Sequence, residues 1–370
     1  MRYALAANPR LAELRARAEA AWERVPQARA LPDPMLATRV GDGMERITLT
    51  ASQRVVSLRR LNAQARQAAA EAAALEQGWA AERLNLIAEV KAAYYRLYLI
   101  GQLLRINQTS QDLLRSLVKA AEAQVRGGAA GPGDVFRANL ELARLGEESV
   151  NLRQELTSAR ADLNRLLNRP ATAPLPLPES LEPPEQSWPL GTLVAVAVAQ
   201  QPELQAARLR HEAALLGVRV ARLAQVPELM LEAGWMYMNP DRNPPMTPPG
   251  PGLNAWMVGV GVSVPVWREK YRALRAEAAA ETRAAAAGIE DLLRRYETML
   301  ADLLAQAEAA RRTAELYDKT ILPLARQTFE TDRRAYQVPG GGVDFERVIE
   351  NFRNLLAAEA AYHRAVARLA

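Results

Sequence analysis

Cysteine is absent from all 370 residues, which excludes disulfides, thiolate metal sites, a cysteine nucleophile and an N-terminal lipid-bearing cysteine. The sequence also lacks a run of about 18 apolar residues, so it predicts no transmembrane helix. Its first thirty residues carry charges throughout instead of the apolar core of a signal peptide. Aromatic residues make up only 5% of the chain, while Ala, Leu, Arg and Glu dominate, a composition typical of long helices.

A large excess of charge of one sign is also lacking. The chain has 47 Lys and Arg against 42 Asp and Glu, a formal net charge of +5. Charges of both signs that alternate in this way are typical of a solvated helical surface. No basic block is interleaved with aromatic residues, so the sequence predicts no nucleic-acid partner.

Motifs for catalysis or cofactor binding are missing as well. The two histidines, His211 and His363, lie in separate helical segments without the spacing of metal ligands. No glycine-rich phosphate loop follows a strand, and no nucleophile motif is recognisable. The sequence therefore predicts a protein that is not an enzyme, with no catalytic residue, cofactor or metal site.

The chain does contain an internal repeat. The stretch NPRLAELRARAEAA from Asn8 returns 193 residues later as QPELQAARLRHEAA from Gln201, with seven of fourteen positions identical. Each half then reads as a short helix, two strands, a long helix, a glycine-rich turn and a returning helix. A proline-rich linker is predicted over residues 169–190. Residues 1–168 and 191–370 are therefore predicted to be two structural repeats.

Long coiled-coil helices are predicted in both repeats. Leucine and alanine recur at alternating spacings of three and four residues, a 3.5-residue period that indicates a coiled-coil seam. Helices are expected over about residues 55–126 and 134–167, and again over about 268–338 and 344–370. Pro323 should kink the third of these helices.

A β-hairpin is predicted before each helix pair, over about residues 35–53 and 229–265. In the second hairpin the strands are about ten residues long, the length of a tilted membrane strand, with aromatic residues near the strand ends. The first hairpin has a good turn at Gly-Asp-Gly but shorter and less apolar faces. The residues expected to face lipid are Trp235, Tyr237, Trp256, Val258, Val260 and Val262.

Several passages together resemble the TolC family of outer-membrane efflux channels, and the resemblance covers nearly the whole chain. They are the duplicated N/Q-P-x-L opening, AAYYRLYLIGQLLRI, GDVFRANLELARL, DLNRLLNRP, and YDKTILPLARQTFETDRRAYQ followed by VDFERVIENFRNLLAAEAAYHRA. The overall plan is similar to the group that serves heavy-metal and drug exporters of the resistance-nodulation-division class.

The resemblance implies a mainly α fold with a small β part. In such a homotrimer, two hairpins from each protomer form a twelve-stranded β-barrel, and the helix pairs form a long α-barrel. It further implies a passive exit duct in the outer membrane that extends into the periplasm, in contact with outer-membrane lipid. The expected partners are a periplasmic adaptor, also called a membrane fusion protein, and an inner-membrane efflux pump. An export signal is then expected upstream of this sequence.

The resemblance also assigns residues to the periplasmic entrance. Asp134 and Tyr336 are placed like a pair that hydrogen-bonds between neighbouring coils and holds the entrance closed. The alternative is that Asp134 is a helix N-cap and Tyr336 packs near the turn. Arg347 and Glu350 occupy the positions of an acidic ring at the entrance, and the alternative is that both are solvated charges on a helix face.

Adaptor docking is expected at the two helix-to-helix turns. They lie within residues 126–133 and 338–345, where glycine permits a tight reversal. The docking residues implied by the resemblance are Gly127, Gly128, Ala129, Gly340, Gly341 and Gly342.

Two other functions remain open from the sequence. A soluble coiled-coil scaffold, periplasmic or cytoplasmic, is supported by the missing export signal and the short first hairpin. A third interpretation is an efflux-like protein in which only one hairpin inserts. Residues 229–264 distinguish a channel from a scaffold, because a scaffold has no use for a hairpin that matches a lipid bilayer.

Overall fold

The computed structural model describes residues 1–41, 46–128, 131–181, 188–238, 253–338 and 342–370. These residues form a mainly helical fold with one small sheet, which confirms the fold class expected from the sequence. None of the helices in the described ranges is long and apolar enough to cross a membrane.

The described residues of the first repeat form five helices and two strands. They are α1 Arg2–Ala7, α2 Pro9–Trp22, α3 Arg24–Arg29, β1 Met35–Gly41, β2 Arg46–Val55, α4 Leu58–Arg126 and α5 Pro132–Leu166. Helix α4 runs for 69 residues without a proline, and it stops where Gly127 and Gly128 follow. Helix α5 ends before Asn168, which has a left-handed φ of 52°. This conformation is common just after a helix.

The second repeat has the same order of long elements. They are α6 Leu190–Gln200, α7 Pro202–Leu223, β3 Leu229–Met238, β4 Leu253–Val262, α8 Arg268–Leu316, a π-helical segment Tyr317–Ile321, α9 Leu322–Gln337 and α10 Phe345–Leu369. The sequence predicts a kink at Pro323, and the structure has the π-helical segment just before this proline. The ring of Pro323 conflicts with the carbonyl four residues earlier, and that residue, Lys319, lies inside the widened turn.

The four strands form one antiparallel sheet in the order β1-β2-β3-β4. Strands β2 and β3, from different repeats, join the two hairpins, with Leu49 opposite Trp235 and Ile47 opposite Tyr237. Residues directly opposite each other share a face of the sheet. The pairing therefore combines the faces of both hairpins into two continuous faces.

One of these faces carries no charged residue, and we call it the uncharged face. It consists of Leu36, Thr38, Val40, Ile47, Leu49, Ala51, Gln53, Val55, Leu229, Leu231, Ala233, Trp235, Tyr237, Asn254, Trp256, Val258, Val260 and Val262. The alternate residues of the same strands form the charged face, which holds every arginine and glutamate of the described sheet.

The chain divides into two compact units, and each unit draws on both repeats. The first unit consists of residues 1–11, 82–199 and 295–370, and the second of residues 12–81 and 200–294. The sheet belongs to the second unit. The ends of α4, α5, α9 and α10 next to the two turns belong to the first.

The first unit has a hydrophobic cluster where these four helices pack together, which we call the turn-side core. Its aromatic residues pair across α9 and α10, with 5.8 Å between the ring centroids of Phe329 and Phe352. The buried members are Leu114, Leu117, Ala121, Ala138, Leu145, Phe329, Tyr336, Phe345, Val348, Ile349 and Phe352.

Candidate functional site

Tyr336, one of the two residues assigned to the gate, lies in the last turn of α9 and is only 8% exposed. Its ring packs against Phe345, with 5.2 Å between the centroids. Its hydroxyl is buried and has no hydrogen-bond partner among the described residues. Burial, and secondarily the negative charge of Asp134, raise the pKa of Tyr336. The two residues therefore interact electrostatically, but no hydrogen bond joins them.

Asp134 lies in the first turn of α5. The N-cap of this helix is Gly131, and Pro132 follows it, so the alternative role of Asp134 as the N-cap is wrong. A carboxylate in the first turn interacts favourably with the helix macrodipole. The backbone N–H of Asp134 donates to the carbonyl of Gly131 at 3.2 Å.

A hydrogen bond joins the ends of α4 and α9 that lead into the two turns. The side-chain amide of Gln124, three residues before Gly127, donates to the backbone carbonyl of Tyr336 at 3.0 Å. Gly128 and Gly342 have φ values of 72° and 66°, the left-handed region that favours glycine. Of the other expected docking residues, Ala129, Gly340 and Gly341 lie outside the described residues.

Arg347, expected to supply charge at the entrance, is bound to a carboxylate that sequence reasoning missed. Its Nε donates to Asp332 Oδ2 at 3.0 Å, and Asn351 Nδ2 donates to the same oxygen at 2.6 Å. Asp332 is only 6% exposed. Glu350, on the same helix as Arg347, is exposed. The sequence did contain a signal for Asp332. This residue lies three residues after Phe329 and four before Tyr336, which places it in the apolar seam of α9.

A second buried carboxylate, Glu141, joins α5 to α10. Arg353 on α10 donates to Glu141 Oε2 at 2.5 Å, and Arg144 approaches the same oxygen at 3.3 Å. The hydrogen bond from Arg353 lowers the pKa of Glu141, against the opposing effect of burial. This pair was also missed, although Glu141 falls on the seam between Ala138 and Leu145.

The residues expected to face lipid all lie on the uncharged face of the sheet. Trp256 and Val258 are 81% and 84% exposed, and the rings of Trp235 and Tyr237 stack at 6.3 Å. The first hairpin contributes more to this face than its short apolar stretches predict. Exposed apolar residues of β1 and β2 extend the same face, namely Leu36, Val40, Ile47 and Leu49.

The charged face has a cavity of about 470 Å³ over Gly259 and Gly261. Met230, Glu232 and Arg54 are among the residues that line it. Among the described residues, no group of three His, Cys, Asp or Glu side chains is arranged to hold a metal ion.

Comparison with known proteins finds a family match in the second half of the chain. The sequence model described as "Outer membrane efflux protein" matches residues 193–370. No curated protein sequence matches the chain.

Solved outer-membrane channels are similar in fold over the full length. The outer-membrane channel OprN is 21% identical with a TM-score of 0.84, and the match covers 100% of this chain and 86% of that one. VceC from Vibrio cholerae is 19% identical with a TM-score of 0.80, covering 100% and 92%. CmeC from Campylobacter jejuni is 15% identical with a TM-score of 0.74, covering 99% and 81%. Residues 193–370 are therefore similar to the outer membrane efflux protein family, and the whole length of the chain has the fold of these channels.

Proposed function

We propose that this protein is the outer-membrane component of a tripartite efflux system, a passive exit duct for small molecules or metal ions driven by an inner-membrane pump. The observation that carries this proposal is the uncharged face of the sheet in a chain with the fold of these channels. Large exposed apolar residues on one continuous face need a partner or a lipid surface to cover them.

The dimensions of the sheet support lipid as that surface. Strands β2, β3 and β4 are each ten residues long, as required for a tilted strand across the hydrocarbon layer. Alternation between an apolar outside and a polar inside is the pattern of membrane barrels. Three copies of a four-stranded sheet would close into a twelve-stranded barrel, which removes the unpaired edges of β1 and β4. The proposed assembly is therefore a homotrimer.

The two turns are the proposed periplasmic end of the duct, where an adaptor docks at residues 126–133 and 338–345. The buried hydroxyl of Tyr336 and the nearby carboxylate of Asp134 support a gate at this end. A small shift of α9 against α5 would let the phenol donate to the carboxylate, a bond worth roughly 1.5–3 kcal/mol. Such a bond in each protomer would bias the entrance toward closure without locking it.

The charge at the entrance is proposed to come chiefly from Glu350. Arg347 forms an ion pair with Asp332, so most of its positive charge is compensated within the protomer. An exposed ring of Glu350 carboxylates would leave the entrance acidic.

A coiled-coil scaffold fits the structure less well. Such a protein would expose the uncharged face to water without benefit. Insertion of a single hairpin is also disfavoured, because the β2–β3 pairing places both hairpins in one sheet with a common face.

The test is to express the protein with an added export signal, extract it from outer membranes and measure its mass by light scattering. The expected particle requires detergent and has three times the chain mass of 40.7 kDa after the detergent is subtracted. A water-soluble monomer or dimer that is absent from the membrane fraction contradicts the channel and supports the scaffold.

A further inference from the structure

Strand β2 carries hydrogen-bond donors at every position on the charged face. In register order these are Arg46, Thr48, Thr50, Ser52 and Arg54. The Thr50 hydroxyl donates to the carbonyl of Ala37 at 3.3 Å. Within the described part of the chain, no hydrogen bond engages the hydroxyls of Thr48 or Ser52. The strand therefore presents the guanidinium group of Arg54 at one end and the free hydroxyls of Thr48 and Ser52 along its length.

The neighbouring strands add positive charge to this face and little negative charge. Arg39 on β1 lies opposite Thr48, is exposed, and has no ion pair among the described residues. Glu232, opposite Ser52, is the one acid on the charged face of the described strands. Arg54 is 56% exposed and lies 4.0 Å from Glu228, which Arg60 also binds. Positive charge is therefore in excess, with Arg39 as its least compensated group.

We propose that the charged face of β1 and β2 is a binding path for anionic solutes, with carboxylate, phosphate or sulfate groups as the recognised chemistry. Guanidinium forks bind such oxyanions through paired donors, and hydroxyls continue the contact along the strand. Rings of positive side chains along a pore select anions. The inference rests on the proposed function, because the charged face lines a water-filled bore only if the uncharged face meets lipid.

The methionines on the same face would suit a soft metal ion better than an anion. A thioether can bind Cu(I). The methyl group of Met257, however, lies 3.3 Å from the place where a Cβ of Gly234 would be, so this side chain fills the space above the glycine. The Cβ of Met230 lies 3.5 Å from the corresponding position of Gly261. The contact of Met257 is that of a packing residue.

The experiment measures ion selectivity of the purified trimer in planar bilayers under a potassium chloride gradient. The acidic entrance proposed at Glu350 favours potassium, so the anion path is read from the change that each variant causes and not from the wild-type preference. Arg39→Gln should lower the chloride-to-potassium permeability ratio, and Arg39→Gln with Arg54→Gln should lower it about two- to threefold. The matched control, Arg15→Gln with Arg17→Gln, removes two exposed arginines that pair within α2 and should leave the ratio unchanged.

The possible outcomes distinguish a failure of the anion path from a failure of the proposed duct. A chloride-to-potassium permeability ratio that the Arg39 variants leave as unchanged as the control does overturns the anion path while the channel stands. Trimers that insert but conduct no ions contradict the proposed duct itself. Arg39→Gln keeps the test independent of folding, because the side chain has no ion pair in the described structure to lose.

Discussion

Glu141 and Asp332 are acidic side chains in the helix seams that a coiled coil normally fills with apolar residues. A buried carboxylate without a partner costs several kcal/mol, so each must be compensated. Arginines of α10 compensate both carboxylates. Arg353 pairs with Glu141 of α5, and Arg347 pairs with Asp332 of α9. Helix α10 is thereby tied to its two neighbours beside the proposed gate.

Glu141→Gln should lower the free energy of unfolding by about 1–3 kcal/mol, because it removes a charge-assisted hydrogen bond at a buried position. The measurement is thermal or chemical unfolding of the trimer. Glu147→Gln, at an exposed position on the same helix, is the matched control and should change stability by no more than about 0.5 kcal/mol.

The same pair predicts a dependence on pH. Because the folded pKa of Glu141 is lowered, the pair stabilises the protein above the unfolded pKa of the carboxyl group. That contribution is lost as the pH falls through the folded value. The stability gap between the wild type and Glu141→Gln should therefore narrow in acid. A gap that is the same at neutral and acidic pH would show that packing, and not charge, is responsible.

Tyr336→Phe separates a gate from simple packing. The hydroxyl makes no hydrogen bond in the described structure, so its removal should not lower the unfolding temperature. If the phenol closes the entrance by donating to Asp134, the variant should raise channel conductance in planar bilayers. Tyr94→Phe, at an exposed tyrosine of α4, serves as the control. Unchanged conductance in both variants favours the packing role.

The sequence predicted some residues of this site and not others. Asp134 and Tyr336 were found through the family resemblance, and the structure places the charge of one near the other. Asp332 and Glu141 were missed, because the partner of a seam carboxylate lies on another helix. Spacing along one helix identifies the buried position but not the arginine that compensates it.

For the strands and helices, the sequence predicts features that depend on neighbouring residues better than pairings between distant parts of the chain. Alternation indicated the face of β3 and β4, and Pro323 indicated an interruption, because both effects depend on neighbouring residues. The β2–β3 register was not predictable, since it joins strands from different repeats. The first hairpin was therefore judged alone as a poor membrane element, although its apolar residues extend the face of the second.

Two adjacent residues of β4 test which face meets lipid. Val258 lies on the uncharged face and Met257 on the charged face. Val258→Arg should prevent insertion, because an arginine facing lipid near the middle of the membrane costs about 2–4 kcal/mol. Met257→Arg should insert normally, since its side chain would face water. The measurement is the fraction of trimer in the outer membrane. Equal insertion of the two variants would contradict the assigned faces.

For the complete chain, the two repeats of the sequence are not the two compact units of the fold. Strand β3 needs β2 of the first repeat for its ladder, and the turn-side core needs helices of both repeats. A duplicated sequence has thus produced halves that depend on each other for burial.

Residues 191–370 expressed alone should consequently fail to unfold cooperatively, because β3 loses its neighbour and the apolar sides of α9 and α10 lose α4 and α5. Circular dichroism during heating would show a gradual change, and an apolar dye would bind strongly. Residues 1–181 and 188–370 co-expressed as separate chains should restore a sharp transition, because every pairing within each unit can form again. A sharp transition for residues 191–370 alone would mean that a single repeat carries a sufficient core.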